Sequence, residues 1–123
     1  MDNLIQSSTS ALLSVALDAT AMRQQAMAQN IANANVPGYR ALGVNFEGRL
    51  AEARAQLAEG RSVSGAAIAQ LRPSFTSAAS AEPIALDVEV AKMSENTLQQ
   101  QVLLKALNRH YSILSTAISG DKR

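Results

Sequence analysis

Apolar side chains recur along the first thirty residues at alternating spacings of three and four. The series runs Ile5, Ser8, Leu12, Val15, Ala19, Met22, Ala26 and Gln29, with polar breaks at Ser8 and Gln29. Such a series is the seam of a helix that pairs with another helix. Leu13 and Leu17 widen the stripe. A second series occupies the other end: Val90, Met93, Thr97, Gln100, Leu104, Leu107, Tyr111, Leu114 and Ile118. Val102, Leu103, Ala106, Ile113 and Ala117 add a further apolar flank there. A helix with two apolar faces packs against more than one neighbour. The residues expected to carry the interface seam are Leu12, Val15, Met22, Val90, Met93, Leu104, Leu107, Tyr111, Leu114 and Ile118.

The helix limits follow from local chemistry. The first helix is predicted to end near Asn35, because Val36 precedes Pro37 and is pushed toward extended geometry. Pro37-Gly38 then suits a type II turn, proline fixing φ and glycine accepting positive φ. The second is predicted to start at Asp87 as N-cap, with Glu89 near the positive end of the helix dipole. It is predicted to stop at Gly120 in a left-handed position, with Lys122 and Arg123 beyond it. Residues 3–34 and 88–119 each span about 48 Å at roughly 1.5 Å per residue. Two matched helices predict an antiparallel coiled-coil hairpin, so the expected fold class is all-α.

Between them, residues 46–59 carry a weaker helical pattern through Phe46, Leu50, Ala53 and Leu57, closed by Gly60. In residues 60–82, fourteen of 23 are Gly, Ser, Ala or Pro, and none before Glu82 is acidic. That composition reads as a flexible or extended connection that becomes ordered against a partner. The expected organisation is one core domain made of residues 1–35 and 87–123. Residues 36–86 supply a turn, a short helix and a linker.

Composition sharpens this picture. The chain has 123 residues, and 23 of its 58 apolar residues are alanine. Alanine buries little area, at about 25 cal/mol per Å². It suits helices that approach closely, in a core completed by other chains. The formal net charge of +1 gives no drive toward nucleic acid or anionic lipid. There is no cysteine, no run near the roughly 20 apolar residues of a membrane span, and no ordinary secretory signal at the start.

The search for chemistry yields no catalytic, cofactor or metal site. His110 is the single histidine and reads as a packing or surface residue. Asp87 and Glu89 read as helix-start residues rather than an acid/base pair. Gly38, Gly43 and Gly48 lack the preceding strand and lysine of a phosphate loop. An enzyme is therefore not expected. The most distinctive stretch is Asn30-Ile31-Ala32-Asn33-Ala34-Asn35-Val36-Pro37-Gly38-Tyr39. Asn30 and Asn33 lie one turn apart, where their amides can bond across a helix interface or cap the last carbonyls. Ala32 and Ala34 permit close approach, and Tyr39 offers a ring and a hydroxyl.

This stretch resembles the N-terminal signature of bacterial flagellar rod and hook proteins, an N-(I/L)-A-N-x-x-T-P-G-Y pattern. Val44-Asn45-Phe46-Glu47, Leu86 through Asn96, and Ala106 to Arg109 with Thr116 to Gly120 are similar to proximal rod members. The resemblance covers about residues 12–47 and 84–120. Val36 stands where the family usually has Thr, Ala85 replaces a usual Asp or Asn, Val90 a usual Met, and Gln100 a common aromatic. The resemblance implies a structural subunit of the proximal rod, within the periplasm, whose paired helices stack around a central export channel and carry torque. It implies partners: copies of the chain, other rod proteins, the basal-body protein FliE, the membrane ring at the rod base and the flagellar type III export apparatus. It implies export without a cleaved signal and no direct lipid binding. It makes Asn30, Ile31, Ala32, Asn33, Pro37, Gly38 and Tyr39 the signature residues for assembly. The alternative is a helical adaptor or chaperone-like binding module of a type III export system, folded on its own.

Overall fold

The computed structural model describes residues 2–60, 67–68 and 71–120, with side chains except at 2–8, 54 and 57. The side chains of Ile5, Ser8 and Leu57 of the patterns above, together with Lys122, Arg123 and residues 61–66 and 69–70 of the connection, lie outside that description.

The order of elements is helix α1 (Asp2–Ala32), strand β1 (Leu42–Asn45), helix α2 (Glu47–Ala58), strand β2 (Ser74–Ser77) and helix α3 (Leu86–Gly120). The chain is mainly helical, as its periodicity predicts. α1 and α3 pair antiparallel. As contacts along α1 move from Ser10 through Thr20 to Asn30, their partners on α3 fall from Tyr111 through Asn96 to Glu89.

The helix ends obey local rules with small displacements. α1 closes at Ala32, earlier than expected. Asn33 N–H still bonds Gln29 O at 3.0 Å, but the next bonds tighten: Ala34 N–H reaches Ile31 O, and Val36 N–H reaches Asn33 O. The Asn33 amide also caps Gln29 O at 2.8 Å. Pro37 and Gly38 then form the expected turn, with Gly38 at φ +77° and Tyr39 N–H bonding Val36 O at 3.2 Å. α2 ends at Ala58, and Gly60 just beyond it takes the left-handed region, φ +80°. α3 opens one residue before Asp87. Ala85 O accepts Glu89 N–H at 3.0 Å, so Ala85 holds the N-cap position. Asp87 sits inside the first turn, where its carboxylate accepts Val88 N–H and favours the dipole. Gly120 is the last helical residue and does not adopt the left-handed conformation expected of it.

The middle segment holds a two-stranded antiparallel sheet that the pattern did not predict. Leu42 faces Ser77, Gly43 faces Thr76, Val44 faces Phe75 and Asn45 faces Ser74. The core forms where this segment covers α1. Val15 and Ala19 bury against Phe46 and Ile68, and Leu12, Ala16, Val44, Leu50 and Leu71 pack around them.

The helix pair uses different faces from those its apolar pattern suggests. On α3 the covered positions are Glu89, Met93, Asn96, Gln100, Leu103, Leu107, His110 and Leu114. Met93, Leu107 and Leu114 belong to the expected seam. Val90, Leu104, Tyr111 and Ile118 of that seam are exposed, and the covered positions alternating with it lie one residue earlier. The reason is polar. Glu89 and Asn96 turn inward because they find hydrogen-bond partners on α1. On α1 the expected seam through Leu12, Val15 and Ala19 faces the middle segment instead. α3 meets the flank of Thr20 and Gln24, a stripe that Leu13 and Leu17 continue at helical spacing.

The turn generates a first prediction. A Cβ added at Gly38 meets no atom within 4 Å, so a substitution there is strained by torsion and not by collision. Gly38→Val is expected to cost about 1–3 kcal/mol. Urea unfolding followed by circular dichroism reads the loss of stability. The folded-state helix signal should stay unchanged, because the strain falls outside the helices.

Candidate assembly site

Two of the signature residues meet, Tyr39 bonding the side chain of Asn30. Asn30 lies in the last full turn of α1 and is 2% exposed. Its Nδ2 donates to Leu42 O at 3.0 Å and to Glu89 Oε2 at 3.3 Å. Its Oδ1 accepts Leu42 N–H at 2.8 Å and the Tyr39 hydroxyl at 2.7 Å. The amide's two donor hydrogens and two acceptor sites are therefore all engaged. To β1, Asn30 presents the donor and acceptor of an adjacent strand, and so covers that edge at Leu42. To the turn it presents an acceptor, and to α3 a donor.

The neighbours complete the charge balance. Glu89, 8% exposed, also bonds Lys92 Nζ through Oε1 at 3.4 Å. Tyr39 is half-buried, and burial, followed by the Glu89 charge, raises its phenol above the ordinary value. Further along the helix pair, Asn96 is 3% exposed and donates to Thr20 O at 2.7 Å and Gln24 Oε1 at 2.9 Å. Its Oδ1 is buried without a protein partner, an energetic penalty that an apolar residue would avoid. A polar residue kept inside a helix seam fixes which positions can face each other. Arg23 pairs with Glu47 at the start of α2, and burial lowers its guanidinium pKa.

The other signature residues lie on the helix end and the turn that follows it. Ile31 and Asn33 are half-covered, while Ala32, Pro37 and Gly38 are exposed on the turn. Of the seam, Val15 is buried, and Leu12, Met22, Met93, Leu107 and Leu114 are half-buried. Sequence reasoning placed Glu89 as a helix-start residue and gave Asn96 no role. Their seven-residue spacing is the only sequence signal they share, and it does not show that this phase is the covered one. Among the described residues, no group of three His, Cys, Asp or Glu side chains could hold a metal ion. No helix described is long and apolar enough to cross a membrane. The arrangement joins elements and holds them in register.

Two expectations follow. Asn30→Asp removes both donated bonds and sets a second carboxylate beside Glu89. The loss at neutral pH should be about 1–3 kcal/mol and exceed that of Asn30→Ala. The new carboxyl is raised in the folded state by the like charge, so its penalty is absent below about pH 4 and grows as pH rises. Urea titrations at acid and neutral pH measure this. Tyr39→Phe should lose about 1 kcal/mol. Because the folded phenol is raised, its stabilisation is complete below about pH 10 and fades as pH climbs through the folded value. The gap between parent and Tyr39→Phe should therefore narrow in alkaline melts.

Comparison with known proteins matches this geometry. Residues 13–40, from mid-α1 through the Pro37-Gly38 turn to the residue after Tyr39, match the family model described as flagella basal body rod protein. The flagellar basal body rod protein FlgB of Cereibacter sphaeroides strain ATCC 17023 is 34% identical over 110 residues, covering 80% of this chain and 84% of the relative. FlgB of strain ATCC 17029 of the same species gives the same identity and coverage. Asn30 and Tyr39 of the cluster lie within the matched segment, and the chain belongs to the flagellar basal body rod protein family, as a FlgB-type structural component of the basal body.

Proposed function

We propose that this chain is a subunit of the proximal rod that transmits torque and lines the export channel through helix packing between subunits. The observation that carries the reading is where apolar surface remains. Among the described residues, eleven large apolar side chains stay exposed and nine of them lie on α3: Leu86, Val88, Val90, Leu98, Val102, Leu104, Tyr111, Ile113 and Ile118. The buried apolar set is small by contrast: Val15, Ala19, Ala26, Phe46, Ala53 and Ile68, three of them alanine. The accessible surface is 8516 Å². A compact 13.0 kDa monomer exposes roughly 6300 Å². A helix apolar on several sides is an interior helix, and here the interior is the assembly.

On this reading residues 1–35 and 87–123 act as one core domain joined through 36–86. The partners are copies of the chain, other rod proteins, FliE and the membrane ring at the rod base. Delivery runs through the flagellar type III export apparatus into the periplasm, without a cleaved signal. Torque passes between subunits through different faces of each copy, as a heterologous array requires. The competing adaptor or chaperone-like module should melt sharply as a dilute monomer. The rod subunit should melt in a broad transition, because its helices complete their packing only in the assembly.

Leu107 tests the helix pair on which the reading depends. It is half-buried on the covered stripe of α3, and a carboxylate there lacks a partner. Leu107→Asp should abolish swimming while cellular protein, followed by blot, persists. Normal swimming with Leu107→Asp would remove this position from any packed interface.

A further inference from the structure

α3 presents two uncharged apolar surfaces on opposite flanks of its contact with α1. One is concave. Between α2 and α3 runs a groove of about 400 Å³, with Ala16 and Thr20 of α1 at its floor. Phe46 and Leu50 form one wall, and Leu98, Val102 and Leu103 form the other. Its two charged residues, Arg23 and Glu47, are paired with each other. The groove therefore offers no free charge to a ligand and accepts an uncharged apolar face.

The other surface is convex. Val90, Leu104, Tyr111 and Ile118 share one heptad phase with Thr97, and all are exposed. At 3.6 residues per turn this ridge lies on one side of the α1-facing stripe, and Leu98 and Val102 on the other. The ridge is uncharged along its length. The exposed positions of the other helices are more polar: Ser14, Asp18 and Gln25 on α1, and Glu52 and Gln56 on α2. Among the described residues, the α3 ridge is an exposed helix face of large uncharged side chains whose chemistry matches the groove.

We propose that the groove between α2 and α3 of one copy receives the Leu104–Tyr111–Ile118 ridge of α3 from a second copy. This rests on the rod-subunit reading. Both halves of the contact are carried on one chain, on different flanks, so each copy can accept a neighbour and be accepted by another. The contact is heterologous and propagates around or along the assembly instead of closing as a two-fold dimer. It also covers part of the apolar surface that the isolated chain leaves in water. Leu98, Val102 and Leu104 become interior side chains.

The chain has no cysteine, so introduced thiols report specific neighbours. Leu98→Cys on the groove wall and Leu104→Cys on the ridge are both exposed positions. The two variants are co-expressed in a strain lacking the parent, and purified basal bodies are treated with a short bis-maleimide. A crosslinked dimer of this chain is expected in the mixed strain and should be lost in strains carrying either variant alone. A second pair, Val102→Cys with Ile118→Cys, repeats the test if either first variant fails to swim. Dimers of equal yield in the single-variant strains would mean a two-fold contact and overturn the proposal. Chain present in basal bodies of swimming cells without any dimer would overturn it while leaving the rod reading intact. Absence of the chain from basal bodies would overturn both.

Discussion

One amide holds the middle of this protein to its two helices. A primary amide has two donor hydrogens and two acceptor sites, and at Asn30 each meets a different demand. Two satisfy the N–H and C=O of Leu42, which would otherwise face α1 unpaired. One anchors the turn through Tyr39, and one binds Glu89 at the start of α3. The Pro37-Gly38 turn returns the chain so that Tyr39 and Leu42 both reach the same residue, twelve positions or fewer away. The direction in which the chain leaves α1 and the placement of α3 beside it are thus set by the same side chain.

Much of this was legible before any coordinates. Pro37 followed by Gly38 specifies a turn with positive φ, and φ is +77°. The paired helices, the short helix after Phe46 and its Gly60 stop follow from periodicity and capping chemistry. Asn30 and Asn33 were distinguishable as residues able to bridge or cap, and they divide those tasks: Asn33 caps Gln29 and Asn30 bridges.

The rest was hidden for physical reasons. Selecting apolar residues at heptad spacing places Val90, Leu104 and Tyr111 at the helix seam, whereas Glu89, Asn96 and Leu103 are covered there. Polar residues enter a seam when partners await them, and those partners sit more than fifty residues away in sequence. The two strands are four residues each and pair across an intervening helix. Neither is long enough to show alternation, and their pairing is decided by packing on α1. His110 offered no catalytic signal and occupies a covered position beside Tyr111.

The spacing of the polar ties along α1 has a mechanical consequence. Ser10, Thr20 and Asn30 engage α3 at intervals of ten residues, about 15 Å apart on a helix. Apolar ridges resist sliding weakly, because one methyl exchanges for another a turn away. Hydrogen bonds give way sooner, since a shift of about 1 Å already takes donor and acceptor out of bonding distance. Pulling α1 along its own axis relative to α3 loads the three ties together, so slip requires near-simultaneous rupture. Peeling the helices apart from one end breaks the ties one after another. The pair is therefore stiff in shear and compliant in peeling, and its resistance depends on the direction of the force.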